Sequence, residues 1–310
     1  MKERLPILPP LRQDEGSRRV VIGVLALQGA FLEHLNHLIK TSSSIQVTAN
    51  VSIDSILVKT SSDLIQCSGL IIPGGESTTM NLLASNQIDS RLIEPNIQKF
   101  SLMDWLKSFV RSGRAIFGTC AGLILLSDEV YSVDRKSRLN NEKKGDLAQR
   151  SSSLYSDPVG LGGLPIKTIR NQYGNQLNSF EHQILIPCLS NPEIPFPAVF
   201  IRAPMIHTIK RPSKTIKIDS FNQHEEDKDL IVKILVKLPS NETMTEDYNP
   251  GRATDQPYQP NQNSYLEDAS LGPDHEIVGL SFRNILATSF HPELTPDYRF
   301  HLYWISNFVL

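Results

Sequence analysis

Three short blocks hold residues whose types and spacing could do chemistry. The first is Phe117-Gly118-Thr119-Cys120-Ala121-Gly122-Leu123, a Gly-x-Cys-x-Gly run between an apolar strand-like segment and an apolar helix-like one. Small residues on either side of a nucleophile let the backbone turn sharply and expose it. At a helix N-terminus the dipole favours the thiolate, the reactive form of the side chain. The N–H of Ala121 lies next to the carbon under attack and could donate to an oxyanion. The other reading is a buried cysteine in a tight turn. The second block is Ser289-Phe290-His291-Pro292-Glu293-Leu294. Residues two apart in extended backbone share a face, so Glu293 can orient an imidazole whose other nitrogen meets a thiol. That is the logic of nucleophile, base and orienter in the order Cys, His, Glu. Alone, the same residues also read as an ordinary surface turn. His34, His182 and His207 have no acid two residues away and read as surface or core histidines.

The third block is Pro73-Gly74-Gly75-Glu76-Ser77-Thr78-Thr79. A glycine pair after an apolar strand brings backbone N–H groups close to a ligand, and the helix start that follows favours an anion. The block lacks the Gly-Lys-Ser/Thr ending of a P-loop. A donor cradle for a carboxylate or an oxyanion fits it better, with Ser77 as the helix N-cap.

Such loops must be held by rigid elements, and the first half of the chain supplies them in alternation. Val20–Leu27 is a continuous β-branched apolar run, as in a strand buried on both faces of a parallel sheet. Phe31, Leu35, Leu38 and Ile39 follow at helical spacing. Further strands are expected at Ser55–Lys59, Gly69–Pro73 and Ala115–Phe117. Helices are expected from Ser77, around Trp105–Val110 and from Ala121. This is the α/β signature with a mostly parallel sheet. Shorter strands are expected at Gly160–Ile169, Gln183–Ile186, Ala198–Ile201, Ile231–Lys237, Ile277–Leu280 and Ala287–Phe290, then a closing helix over Asp297–Phe308. Two polar segments read as insertions, Ser132–Ser153 with a basic run and the Pro-rich Ser240–Pro273. Met1–Arg19 reads as a flexible tail before one domain over residues 20–310. The catalytic blocks reach from Gly75 to Glu293, so a single domain must bring them together.

Composition excludes several classes. The 310 residues carry 31 Lys+Arg against 33 Asp+Glu, a net charge of −2, which gives no basic field for nucleic acid. Cys67, Cys120 and Cys188 are too few and too scattered for a disulfide framework or a zinc knuckle, and suit a reducing compartment. The apolar run near the start is well short of the ~20 residues that span a bilayer. A soluble, cytoplasmic protein is expected.

Together the three blocks resemble the class I (triad) glutamine amidotransferases. Gly23-Val-Leu-Ala-Leu-Gln-Gly-Ala30, Pro73-Gly-Gly-Glu-Ser-Thr-Thr-Met80, Phe200-Ile-Arg-Ala-Pro204 and Ser289-Phe-His-Pro-Glu-Leu-Thr295 narrow the likeness. They resemble the glutaminase subunits of pyridoxal 5′-phosphate synthase, of the bacterial PdxT and fungal SNO type. The likeness covers about residues 20–131, 160–210 and 277–310, and the extra length suggests a fungal member. It implies a three-layer, flavodoxin-like domain that hydrolyses L-glutamine, with Cys120 as nucleophile, His291 as acid/base and Glu293 as orienter. Gly75, Glu76 and Ser77 would line the glutamine site with Ile201 and Arg202. Arg170 would join them, although Gln172 and Tyr173 depart from the family's Ser and Phe beside it. Gly75 and Ala121 would form the oxyanion hole. The implied partner is the synthase lyase subunit, a TIM barrel of the PdxS/SNZ type. The pyridoxal chemistry would be that partner's, so this chain would need no cofactor or metal. Another amidotransferase's glutaminase subunit and a non-catalytic regulatory subunit remain as alternatives.

Overall fold

Apolar runs closed by glycine turns become the strands of a seven-stranded sheet in the computed structural model. It describes residues 4–11, 18–49, 51–89, 99–133, 154–156, 160–170, 179–210, 232–239 and 275–310. Along the chain run β1 (Arg18–Leu25), α1 (Phe31–Ala49), β2 (Val51–Val58), α2 (Ser61–Leu64), β3 (Gly69–Ile72), α3 (Ser77–Asn86), α4 (Leu102–Arg111), β4 (Ala115–Thr119) and α5 (Ala121–Leu126). Then come β5 (Ser127–Val133), β6 (Leu154–Ser156), β7 (Leu164–Ile169), β8 (Phe180–Ile184), β9 (Phe196–Phe200), β10 (Met205–Ile209), β11 (Lys233–Pro239), β12 (His275–Phe282), β13 (Ile285–Thr288) and α6 (Arg299–Trp304).

The main sheet has the order β11-β12-β13-β4-β3-β1-β2. β2, β1, β3, β4 and β13 are parallel, and β12 and β11 close the edge antiparallel. A four-stranded sheet, β10-β7-β5-β6, and the β8–β9 hairpin complete the strands among the described residues. The inner strands are apolar on both faces. Leu70, Ile72 and Ile116 pack with α3, α4 and α5 in one core, and Ile71 and Phe117 pack with Leu38 of α1 and Trp304 of α6 in the other. That two-sided burial is why these strands read as unbroken apolar runs.

The chain leaves β1 for one face and β3 for the other, so the loops after these neighbours part. A crevice at such a reversal, outside the carboxyl ends of the strands, is where open α/β sheets place their ligands. The Gly29 turn after β1 and the Gly74-Gly75 turn after β3 meet there, with Ala30 N donating to the Gly74 carbonyl at 3.0 Å. The Cys120 turn ends β4 beside them.

Three expectations change. β2 starts at Val51, four residues before the expected Ser55, because it is a half-exposed edge strand whose polar Ser52 and Asp54 hide it. Asp54 pairs with Arg19 of β1 at 2.7 Å. The closing helix is broken: α6 ends at Trp304 and a π-turn follows, with Leu310 N donating to the Ile305 carbonyl. The leader is not a free tail throughout. Residues 4–11 lie on the domain, where the Ser108 hydroxyl donates to the Pro6 carbonyl and Arg114 to that of Pro9. Arg18 and Arg19 belong to β1. Of the first expected insertion, Ser132 and Val133 finish β5; its residues 134–153 and the whole of Ser240–Pro273 lie outside the described residues.

Candidate active site

Cys120 sits between β4 and α5 with φ +48° and ψ −99°, outside the regions a non-glycine residue ordinarily takes. The turn is over-determined by its neighbours. Cys120 N donates to the Thr288 carbonyl of β13 at 2.8 Å, and Ile124 N donates back to the Cys120 carbonyl. Gly122 is needed because a Cβ there would meet the Ile72 backbone. The strained elbow expected from Gly-x-Cys-x-Gly is therefore present, and its thiol is buried.

His291 and Glu293 flank a short 3₁₀ turn, Pro292–Leu294, directly after β13. His291 N donates to the Val199 carbonyl of β9. Its Nδ1 lies 2.8 Å from Glu293 Oε1, and its imidazole and the Cys120 Cβ both face Gly74. Burial disfavours the imidazolium, yet the Cys120 thiol and the Glu293 carboxylate outweigh it and hold the His291 pKa well above the ordinary value. Burial likewise raises Glu293, but its hydrogen bond with His291 keeps it below the usual carboxylate range. The three residues thus form one row, Cys120–His291–Glu293, at the carboxyl end of the parallel strands.

Glycine makes room for the row. A Cβ on Gly74 would strike the His291 imidazole and lie 3.3 Å from the Cys120 Cβ, and one on Gly75 would strike Gln28. Gln28 Oε1 accepts from Glu76 N at 2.6 Å, tying the turn after β3 to the turn after β1. Here the expectation for Ser77 is corrected. Glu76 is the N-cap of α3, its carboxylate accepting from Thr78 N and Thr79 N, while Ser77 is the first helical residue and is buried. A carboxylate satisfies two free N–H groups at once and complements the helix dipole, so it displaces the hydroxyl from this task. Burial opposes the charge on Glu76, and the bonds from Thr79, Thr78 and Arg170 prevail and lower its pKa.

Arg170, at the end of β7, donates to Glu76 Oε1 at 2.9 Å and to the Thr78 hydroxyl at 2.8 Å. Ile201 and Arg202 follow β9 in a turn where Arg202 has φ +48°. The Ile201 carbonyl lies 3.9 Å from Cys120 Sγ. Five separated stretches, around residues 75, 120, 170, 201 and 291, are therefore brought together. Gln28 is a site residue that motif reading passed over. Its signal is the block Gly23–Ala30, which contains Gln28 but gives it no role. His34 reads from sequence as a surface or core histidine, and it lies in the core together with His37 and His301. They lie behind Glu293, and no spacing could pair residues 34 and 301.

Among the described residues no group of three or more His, Cys, Asp or Glu could hold a metal ion, and no helix is long and apolar enough to cross a membrane.

Residues 24–141 and 147–256 match the SNO glutamine amidotransferase family. The chain is 35% identical over 300 residues to "Pyridoxal 5′-phosphate synthase subunit SNO1" of Saccharomyces cerevisiae, covering 95% of each chain. It is 32% identical to "Pyridoxal 5′-phosphate synthase subunit PdxT" of Dehalococcoides mccartyi over 92% of this chain and 95% of that one. A solved glutamine amidotransferase structure superposes with a TM-score of 0.51 and 26% identity, over 92% of this chain and 97% of its own.

Proposed function

Since this chain belongs to the SNO glutamine amidotransferase family, we propose that Cys120, His291 and Glu293 hydrolyse the side-chain amide of L-glutamine and that the ammonia serves pyridoxal 5′-phosphate synthesis. The observation that carries the assignment is the single imidazole set between thiol and carboxylate, with His291 Nδ1 2.8 Å from Glu293 Oε1 and its ring beside Cys120 against Gly74.

The Cys120 thiolate attacks the amide carbon. The oxyanion that forms is held by the N–H groups of Gly75 and Ala121, each contributing about 3–4 kcal/mol on the scale of a measured oxyanion-hole donor. The His291 imidazolium protonates the departing nitrogen, leaving a glutamyl thioester and ammonia. Neutral His291 then takes a proton from water, whose oxygen attacks the thioester and releases glutamate and the thiol. Glu293 keeps the imidazole in the tautomer both steps need. The zwitterionic head of glutamine matches the Arg170–Glu76 pair in sign, and Ser77, Ile201 and Arg202 complete the walls of the cleft.

Ammonia released to bulk water would be protonated and lost as a nucleophile, so it passes directly to a bound synthase subunit, a TIM-barrel lyase of the PdxS/SNZ type. That subunit performs the pyridoxal chemistry, and this reading gives the present chain no cofactor or metal. It assigns the complex to the cytoplasm, where Cys67, Cys120 and Cys188, all unpaired, stay reduced.

Cys120→Ser tests the reading. With the synthase subunit added, glutamate production should fall by about 10⁴-fold or more, while thermal unfolding stays at the parent temperature. Parent-like turnover in the variant would remove Cys120 from the mechanism.

A further inference from the structure

Behind the triad lies a row of buried imidazoles that the mechanism above does not use. Glu293 turns Oε1 to His291, and its Oε2 lies 3.4 Å from His34 Nε2. His34 Nε2 also meets the Thr119 hydroxyl at 3.1 Å, and its Nδ1 lies 2.8 Å from His301 Nε2. His301 Nδ1 lies 3.2 Å from His37 Nδ1, and His37 Nε2 ends the row 2.9 Å from the Thr295 carbonyl. His34 and His37 stand three apart on α1 and so share a face; His301 comes from α6. All three rings are buried.

The protons of this row can be counted. A carbonyl only accepts, so His37 Nε2 carries hydrogen and, in a neutral ring, His37 Nδ1 is bare. His301 Nδ1 must then donate to it, which leaves His301 Nε2 bare. His34 Nδ1 must donate in turn, which leaves His34 Nε2 bare as well. That nitrogen accepts from the Thr119 hydroxyl and has no hydrogen to offer Glu293. Accordingly, among the described residues Glu293 Oε2 is a buried oxygen without a hydrogen-bond partner. The rings are neutral because burial pushes His34 down to about 4 and lowers His301 and His37 as well.

We propose that His34, locked in its Nδ1–H tautomer by His301 and His37, is a positioning residue that denies Glu293 Oε2 a donor and so directs the carboxylate undivided onto His291. A carboxylate that shared its charge with a second donor would stabilise the His291 imidazolium less. The other charged and titratable groups around the row are Cys120 from the β4–α5 turn, Lys40 on α1 and Asp297 ahead of α6, the last two facing His37. None of them supplies a donor to Oε2. The proposal rests on the triad reading, and its test separates the two.

The tautomer is read directly on the full chain by long-range ¹H–¹⁵N correlation with ¹⁵N-labelled histidine. The expected pattern for His34 is a protonated Nδ1 and a bare Nε2; a protonated Nε2 overturns the proposal without any variant. The consequence is read through His301→Leu, which removes the acceptor of His34 Nδ1 and frees His34 to donate from Nε2 to Glu293. The rate of Cys120 alkylation by iodoacetamide, followed on the Cys120 peptide by mass spectrometry, reports the thiolate–imidazolium pair as a function of pH. Its alkaline limb should move down by about one pH unit in the variant, the order of one charge-assisted hydrogen bond, with KM for glutamine unchanged. A folded variant with an unmoved limb refutes the row's role. Failure of Cys120 to react ahead of Cys67 and Cys188 would instead refute the triad.

Discussion

At the scale of single residues, Gly74 has the least room to change. Its Cα faces both the imidazole of His291 and the Cys120 Cβ, and any side chain would push the two apart. Misplacing reacting groups by about 1 Å costs on the order of 10²-fold in rate. Gly74→Ala should therefore lower kcat for glutamine hydrolysis by at least about 10²-fold, a loss larger than any change in stability accounts for. Gly113→Ala is the control. Gly113 also has a positive φ, +78°, but nothing lies within 4 Å of the added methyl. It should cost on the order of 1 kcal/mol of backbone strain and leave kcat alone. Equal kcat in the two variants would show that the glycine pair is required for its turn rather than for the triad. The same contrast separates what residue types reveal from what they hide. Cys120, His291 and Glu293 are legible because their chemistry is unusual and their spacing local. The Gly74 contact with His291 is not, since 217 positions separate the partners and only the parallel register of β3, β4 and β13 brings them together.

At the scale of elements, the loop that feeds β9 hangs on one side chain. Arg299, at the start of α6, donates to the carbonyls of Ser190, Asn191, Ile194 and Pro195, and Asp297 holds its guanidinium from the other side. No lysine could reproduce that fork. Arg299→Ala would give up these hydrogen bonds, leave the exposed carbonyls to water and part Asp297 from its ion pair, at a cost of about 1–2 kcal/mol. β9 leads to Ile201 and Arg202, so KM for glutamine should rise more than kcat falls. Urea unfolding and steady-state kinetics read the two effects separately, and an unchanged midpoint would show the clamp to be dispensable. The element scale also shows where pattern reading stops. β3 and β4 are legible because burial on both faces leaves only apolar residues in them. β2 was cut short because an edge strand tolerates Ser52 and Asp54. The break in the closing helix has no sequence mark, since Ile305 and Phe308 keep a helical spacing through the π-turn. The anchoring of residues 4–11 was invisible for another reason: it depends on Ser108 and Arg114, a hundred positions away.

At the scale of the whole molecule, the buried histidines make stability depend on pH in a window that ordinary carboxylates do not occupy. His34, His37 and His301 join α1 to α6 across the core that also holds Phe117, Phe300 and Trp304. In the unfolded chain each would take a proton near pH 6.5; in the folded chain burial lowers all three, His34 to about 4. Between those values the unfolded state binds more protons, so stability is present above pH 6.5 and drains away as pH falls. His291 has the opposite sign. Its raised folded pKa stabilises the protein below pH 6.5, and that contribution is lost as pH climbs through the folded value. The depressed carboxylates of Glu76, Glu129 and Glu293 are lost on the acid side too, but only below their unfolded value near 4.5. The window from pH 6.5 to 5 therefore belongs to the histidines. There each contributes up to about 1.4 kcal/mol per pH unit, so the urea midpoint should fall steeply from pH 7 to pH 5 with the m-value constant. His301→Leu removes one of these protons and should make that slope shallower, whatever it does to stability at pH 7. A midpoint that holds level from pH 7 to 5 would mean that the row is already open to water, and the dry, neutral core behind Glu293 would have to be abandoned.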